Sequence, residues 1–391
     1  MAMNIFTEAF QQKEALIGLR RYLHQNAEIG LALPITTTRI AEELARLGVE
    51  FVQTGGGIKA VIGKDTGKRI LLRGDMDALP IEEKTGLDYA SKNGAMHACG
   101  HDLHASMLTG AAALLKKHEA ELDGQVILMF QTGEETGEGA QAMIDAGVLS
   151  PLPDYAVAIH IAGFEEYPTG IISVNSGAVY ASRDEFIVTV AGSGGHGAEP
   201  HKAKNPIYCA IRIIEALTDM TRYEIDAETP AVLTVCRIDA GTASNIIPET
   251  CRFSGTLRMA NEDKRRTVRN RMNEIVAGVS RAYEMKGELR FGSSLPMLIN
   301  DEEFSRQAYE WLSGGLEGAM IAPLDSHFSM GSDDFSLISD KVPSVYMYVL
   351  SQSPPGRHHP EHHDKVEFDD EAVPVGAAAY AQIALSYLKR Q

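Results

Sequence analysis

The chain has 391 residues, 44% of them hydrophobic, and a formal net charge of −17 from 36 basic and 53 acidic side chains. That length exceeds one ordinary core and predicts two domains. The acidic balance excludes a nucleic-acid partner, because phosphate binding needs a basic face.

The first 25 residues hold no long apolar run and carry Lys13, Glu14, Arg20 and Arg21, so neither a secretory signal nor a membrane span is expected. Four cysteines (Cys99, Cys209, Cys236, Cys251) make no disulfide framework in a chain this long. The expected compartment is the cytoplasm, where Cys99 stays free to act as a thiolate.

Residues 8–25 and 36–47 read as helices, with Leu16, Leu19 and Leu23 at helical spacing. Arg69–Arg73, Gln125–Phe130 and Tyr155–Ile161 read as buried strands. They alternate with helices over Leu103–His118 and Ala140–Ala146, the second ended by Gly147. This rhythm predicts a mostly parallel α/β sheet flanked by helices. Near residue 184 the rhythm changes. A strand (Glu185–Ala191), a helix (Pro206–Thr221), strands (Ala231–Ile238, Cys251–Met259), a helix (Glu262–Glu284) and a strand (Glu288–Phe291) follow. That order is the split-βαβ, ferredoxin-like pattern. After about residue 298 the α/β rhythm returns, with a strand near Val345–Val349 and a helix from Asp370 to Leu388. The expected domains are 1–183 with 298–391, and an insert at 184–297.

The densest polar run is Met96-His97-Ala98-Cys99-Gly100-His101-Asp102-Leu103-His104. Cys99 and His101, two apart, point the same way if the segment is extended, and thiolate with imidazole suits Zn²⁺ before Mg²⁺ or Ca²⁺. Alone, the run reads equally as a His-rich turn with a buried thiol. After the strand Gln125–Phe130 come Glu134 and Glu135, where open α/β sheets bind ligands. Adjacent side chains diverge, so one carboxylate can bind metal while the other faces a reacting water. The third strand delivers His160 at its carboxyl end. A lone histidine there is more often a core residue, but three successive parallel strands ending in ligand-capable residues converge on one sheet edge. Asp75 and Asp77 follow the first of these strands, as ligands or as carboxylates that orient histidines. Arg357–Asp364 adds His358, His359, His362 and His363, inside an ordered unit rather than a tag.

Taken together, Arg73-Gly74-Asp75-Met76-Asp77-Ala78-Leu79-Pro80, His97–Asp102, Glu134-Glu135 and Met330-Gly331-Ser332-Asp333-Asp334-Phe335 match one pattern, in order, over nearly the whole chain. The sequence resembles the hippurate hydrolase, auxin-conjugate hydrolase and N-acyl-amino-acid amidohydrolase branch of the aminoacylase-type metallopeptidase superfamily. The resemblance implies metal ligands at Cys99, His101, Glu135, His160 and a C-terminal histidine. Counting back from Glu371-Ala372-Val373-Pro374 selects His362, with His359 and His363 as alternatives. It implies a general base at Glu134 and an inserted dimerisation module over 184–297. In Gly194-Gly195-His196-Gly197, His196 would help bind an oxyanion, and Asn245 and Arg258 would grip a substrate carboxylate, a task that suits a guanidinium.

The implied cofactor is Zn or Mn, one or two ions per subunit. The implied assembly is a homodimer, with a tetramer as the larger option, acting on small N-acyl amino acids without nucleic acid or membrane. Two departures stand out: Asp75 occupies a position where the wider superfamily carries a histidine ligand, and Asp333 one where this branch more often has glutamate. A dipeptidase or carboxypeptidase shares the same metal site. A non-catalytic metal-binding scaffold and a thiol-redox role for Cys99 are the readings from other classes.

Overall fold

The computed structural model describes residues 4–322 and 328–389. They form two compact units, one from 4–179, 299–322 and 333–389, the other from 180–298 and 328–332. No helix among the described residues is long and apolar enough to cross a membrane.

The first unit is built on an eight-stranded sheet of β1 (Glu50–Thr54), β2 (Gly57–Gly63), β3 (Arg69–Asp75), β4 (Gln125–Gln131), β5 (Tyr155–Phe164), β6 (Ile171–Val174), β15 (Met320–Ala322) and β16 (Ser344–Gln352). Two short strands, β7 (Gly177–Tyr180) and β14 (Leu298–Asn300), fall where the chain passes between units. The order across the sheet is β1-β2-β4-β3-β5-β16-β6-β15. The central β4, β3, β5 and β16 are mutually parallel, as the continuous apolar runs required: strands buried on both faces need no alternation. β1, β2 and β6 pair antiparallel with their inner neighbours, so the sheet is mixed, mostly parallel at its centre. The β1–β2 hairpin adds to the strands expected from apolar runs. Its turn is Gly55-Gly56, both at positive φ (57° and 89°), the geometry a tight two-residue hairpin demands.

Helices cover the sheet: α1 (Ile5–Gln11), α2 (Lys13–Gln25), α3 (Pro34–Leu47), α4 (His101–Lys117), α5 (Gly139–Asp145), α8 (Glu302–Gly315), α9 (Ser336–Ser339) and α10 (Ala372–Tyr387). Residues 8–25, expected as one helix, are two, divided at Gln12, and Asn4 caps the first by accepting the Thr7 N–H. α4 and α10 are buried along most of their length. Small residues let them approach: a Cβ on Gly110 would stand 2.7 Å from the Ala377 methyl, and one on Gly376 would meet Met107.

The second unit is a four-stranded antiparallel sheet, β10 (Ala231–Ala240), β12 (Thr250–Met259), β8 (Ser182–Ala191) and β13 (Lys286–Leu295) in that order. Alternate residues of β8 and β12 are buried. They form a core with α6 (Pro206–Tyr223) and α7 (Glu262–Ala282) that includes Phe186, Phe253, Ile213 and Met272. The element order is the split-βαβ order expected from the sequence. A two-stranded ribbon, β9 (Gly195–His196) with β11 (Ile246–Ile247), completes this unit's strands.

One irregularity in the first sheet makes room for a cluster of polar side chains. The β3–β5 ladder runs from Ile70–Tyr155 to Arg73–Ala158 and stops. There the Tyr380 hydroxyl of α10 steps between the strands, donating to the Arg73 carbonyl (2.5 Å) and accepting the Ile159 N–H (2.8 Å). Replacing Tyr380 by Phe strands two buried backbone groups. We expect it to lower the unfolding free energy by about 1–3 kcal/mol in urea titration; an unchanged midpoint would show that the bridge contributes nothing.

Candidate metal centre

β3 and β5 part beyond Tyr380, and the space between them fills with imidazole. His104, from the first turn of α4, donates Nδ1–H to Asp75 Oδ1 (2.6 Å) and accepts the Ile161 N–H at Nε2 (2.8 Å). Accepting at Nε2 while donating from Nδ1 requires the neutral ring. Burial, opposed by Asp75, pushes its pKa down to about 4. His104 thus takes the place of a ladder bond between the two strands.

Cys99 and His101 reach the same space by a route that differs from the expected extended one. Gly100 adopts a left-handed conformation (φ 80°) and turns the chain directly into α4, whose first residue is His101. A Cβ on Gly100 would lie 2.3 Å from Ile161 Cγ2, so both the turn and the close approach demand glycine. Asp102, the next residue, is fully buried and anchors the helix start against Arg20 Nε (2.7 Å) and His24 Nδ1 (2.8 Å).

His160 lies within β5, which continues to Phe164, rather than at its carboxyl end. Its Nδ1–H donates to the Ile161 carbonyl (2.5 Å), and its Nε2 lies 3.4 Å from Cys99 Sγ. Glu134 and Glu135 stand on the turn after β4. Asp77 fixes that turn: its two carboxylate oxygens accept the backbone N–H groups of Glu134 (3.0 Å) and Glu135 (3.1 Å). Asp77 Oδ1 is also 3.5 Å from His101 Nδ1. Asp75 makes its short contacts with His104 and Arg73, standing 3.7 Å from His101.

Of the C-terminal histidines, His362 faces the cluster, its Nε2 3.5 Å from Glu135 Oε1. Its backbone is left-handed (φ 66°), and its N–H donates to the Ala98 carbonyl beside Cys99. His359 and His363 stack on each other instead, with centroids 4.3 Å apart. The cluster therefore offers two donor triads sharing one sulfur, Cys99–His101–His160 and Cys99–Glu135–His362. Glu134 lies within reach of His101 and Glu135 on one side and of Asp333 and Asp334 on the other.

This arrangement fits a divalent cation on two grounds. Both His101 ring nitrogens and Glu135 Oε1 are buried without a hydrogen-bond partner, an expensive state unless something else binds them. The set is also short of positive charge. Burial pushes the Cys99 thiol well up, and burial with Asp333, Asp334 and Glu135 nearby does the same to Glu134. Glu135 is raised by burial too. Burial opposes the charging of His101, but Asp75, Asp77 and Cys99 outweigh it and raise its pKa well above the usual range. A cation among these donors reverses that penalty.

Sequence reasoning assigned no role to several residues here. Arg73 is one: a buried guanidinium in an apolar strand, meeting Asp75 (2.6 Å), Asp334 (3.0 Å), Asp333 (3.1 Å) and Gln131 (2.9 Å). A charged residue in such a strand needs buried acids as partners, so the Asp333-Asp334 pair was the available signal. Tyr346, donating to Asp333 Oδ2, left no such sign.

In the second unit His196 and Asn245 are brought together by the β9–β11 ribbon. The Asn245 carbonyl accepts the Gly197 N–H (2.9 Å), and the His196 Nδ1 accepts the Ala198 N–H (3.1 Å). Both side chains are exposed. Arg258 lies apart from them, on β12, donating to the Met330 carbonyl (3.0 Å).

Asp77→Ala removes both acceptors that hold the Glu134–Glu135 turn. Metal affinity in a chelator competition should fall by about 10–100-fold, the usual effect of losing a residue that orients ligands. Wild-type affinity in that variant would show that the turn holds itself.

The family model described as Peptidase family M20/M25/M40 matches residues 71–386. The chain is 34% identical to thermostable carboxypeptidase 2 of Saccharolobus solfataricus over 95% of each sequence. It is 33% identical to an N-acetylcysteine deacetylase of Bacillus subtilis, covering 96% of this chain and 97% of the relative. Among solved structures, a Bacillus subtilis M20-family peptidase described as dinuclear metal binding is similar at a TM-score of 0.80 and 31% identity, over 96% of this chain and 98% of that one. With the model spanning most of the sequence and relatives above 30% identity along nearly all of it, the chain belongs to peptidase family M20/M25/M40.

Proposed function

We propose that the chain is a metal-dependent amidohydrolase that removes the acyl group from N-acyl amino acids or similar conjugates, placing it in the hippurate and auxin-conjugate hydrolase branch of its family. The observation carrying this reading is the convergence of Cys99, His101, Glu135, His160 and His362, with the Glu134 carboxylate beside them. Relatives named N-acetylcysteine deacetylase, N-acetyldiaminopimelate deacetylase and IAA-amino acid hydrolase support the substrate class. The carboxypeptidase relatives favour peptide hydrolysis as the second reading.

Cys99, His101, Glu135, His160 and His362 would hold the metal. Two triads sharing Cys99 support a pair of ions, and the mixed sulfur, nitrogen and oxygen set suits Zn²⁺ or Mn²⁺. When bound, the metal supplies Lewis acidity to a water and to the amide carbonyl. Glu134 takes the water's proton and delivers it to the departing amine nitrogen, one carboxylate serving as base and then acid. His196 donates to the oxyanion, and Asn245 and Arg258 bind the substrate carboxylate. The edge strand β10, with Val232 and Ile238 exposed, supports assembly into a homodimer through residues 184–297. The four free cysteines support a reducing, cytoplasmic setting.

A panel of N-acetyl and N-benzoyl amino acids against free dipeptides, with and without chelator, tests the reading. Chelator-sensitive hydrolysis confined to free dipeptides would overturn it. Glu134→Gln should keep its metal, by elemental analysis, while turnover drops by about two to four orders of magnitude, the scale of a lost general base. Full turnover in that variant would remove Glu134 from the chemistry.

A further inference from the structure

Two arginines oppose each other in the second unit. In the antiparallel β8–β12 ladder Arg183 is the direct register partner of Arg258, so both side chains leave the same face. Directly opposite residues have Cβ atoms about 4.5–5.5 Å apart, and like charges so placed destabilise a sheet. Nothing nearby among the described residues offsets this. Among the described residues neither guanidinium has a carboxylate within ion-pairing distance: Arg258 donates to the Met330 carbonyl and Arg183 to the Ser293 hydroxyl (3.2 Å), both neutral acceptors.

Of the neighbouring acids among the described residues, Asp184 is committed elsewhere. It points to the opposite face, buried, held by Arg265, Arg269 and Ser294. Glu185 lies over Gly292 on β13, the strand on the far side of β8 from Arg258. Both arginines are half-buried, and burial together with Arg183 lowers the Arg258 pKa. A repulsive cation pair kept partly out of water, with several N–H donors unused, is an arrangement an anion completes.

We infer that Arg183 and Arg258 form a double-guanidinium site for a dianion, and that the preferred substrates are N-acylated amino acids bearing a second carboxylate on the side chain. This rests on the reading of Arg258 as the residue that binds the substrate carboxylate. A single carboxylate neutralises one guanidinium of the pair; an aspartate- or glutamate-type moiety neutralises both.

The test compares kcat/KM for N-acetylglutamate with that for N-acetylglutamine, its neutral near-isostere, in the metal-loaded protein. Wild type should favour the dicarboxylate, and Arg183→Gln should cut that preference by about tenfold, through KM, the scale of a lost charge-assisted hydrogen bond. Arg183→Lys, which keeps the charge without the planar fork, should lie between and decides the case if the glutamine variant does not fold. A wild type that does not favour N-acetylglutamate, or a preference unchanged by either substitution, overturns the inference while leaving amidohydrolase activity standing.

Glutarate, with two carboxylates and no amide, gives a readout independent of turnover. Calorimetric binding weakened in Arg183→Gln supports the site even if no acyl substrate is hydrolysed, in which event the proposed activity alone falls. Equal binding to both proteins overturns the site.

Discussion

The parting of β3 and β5 is the constraint on which the rest of the first unit depends. A continuous parallel ladder would close the space where the donors meet. Past Arg73 and Ala158 the strands are instead bridged by side chains, first the Tyr380 hydroxyl and then the His104 imidazole. Every backbone group along the gap that these two contact remains hydrogen-bonded, so the opening avoids the cost of orphaned peptide groups. His160 stands between the two bridged positions, Ile159 and Ile161, and its orientation follows from that frame.

Charge is the second constraint. Asp75, Asp333 and Asp334 are fully or nearly fully buried and gather on one guanidinium, Arg73. Burial, helped by Asp333 and opposed by Arg73, brings Asp334 up to about 7. One arginine is too little for these acids together with Glu134, Glu135 and the Cys99 thiol. The deficit is met by drawing protons or by binding a cation, and the sulfur, imidazole and carboxylate donors of the cluster suit the second.

Much of this was legible in the residues. Apolar runs announced the central strands, and the change of rhythm near residue 184 announced the ferredoxin-like unit. The Gly55-Gly56 turn carries a hairpin signal, but β1 and β2 are short and partly polar and give it no apolar run to join. The donor types were visible, but their mutual placement was not. Cys99 and His101 meet through a left-handed glycine rather than an extended segment, and no local pattern shows that His362, rather than its neighbours, faces the cluster. Asp77 was named as a supporting carboxylate, but that it and His104 hold backbone groups was not legible, because only the tertiary fold brings those groups near.

The position of β16 has a consequence for how the molecule is made. It lies between β5 and β6, at the heart of the first sheet, yet in the chain it comes after the whole of residues 180–298. Until that late segment arrives, the inner edge of β5, the strand bearing His160, presents a row of unsatisfied amides and carbonyls. The first sheet therefore closes by long-range capture, a slow step in entropic terms, and the half-built β5 edge is the surface most prone to pair wrongly during synthesis.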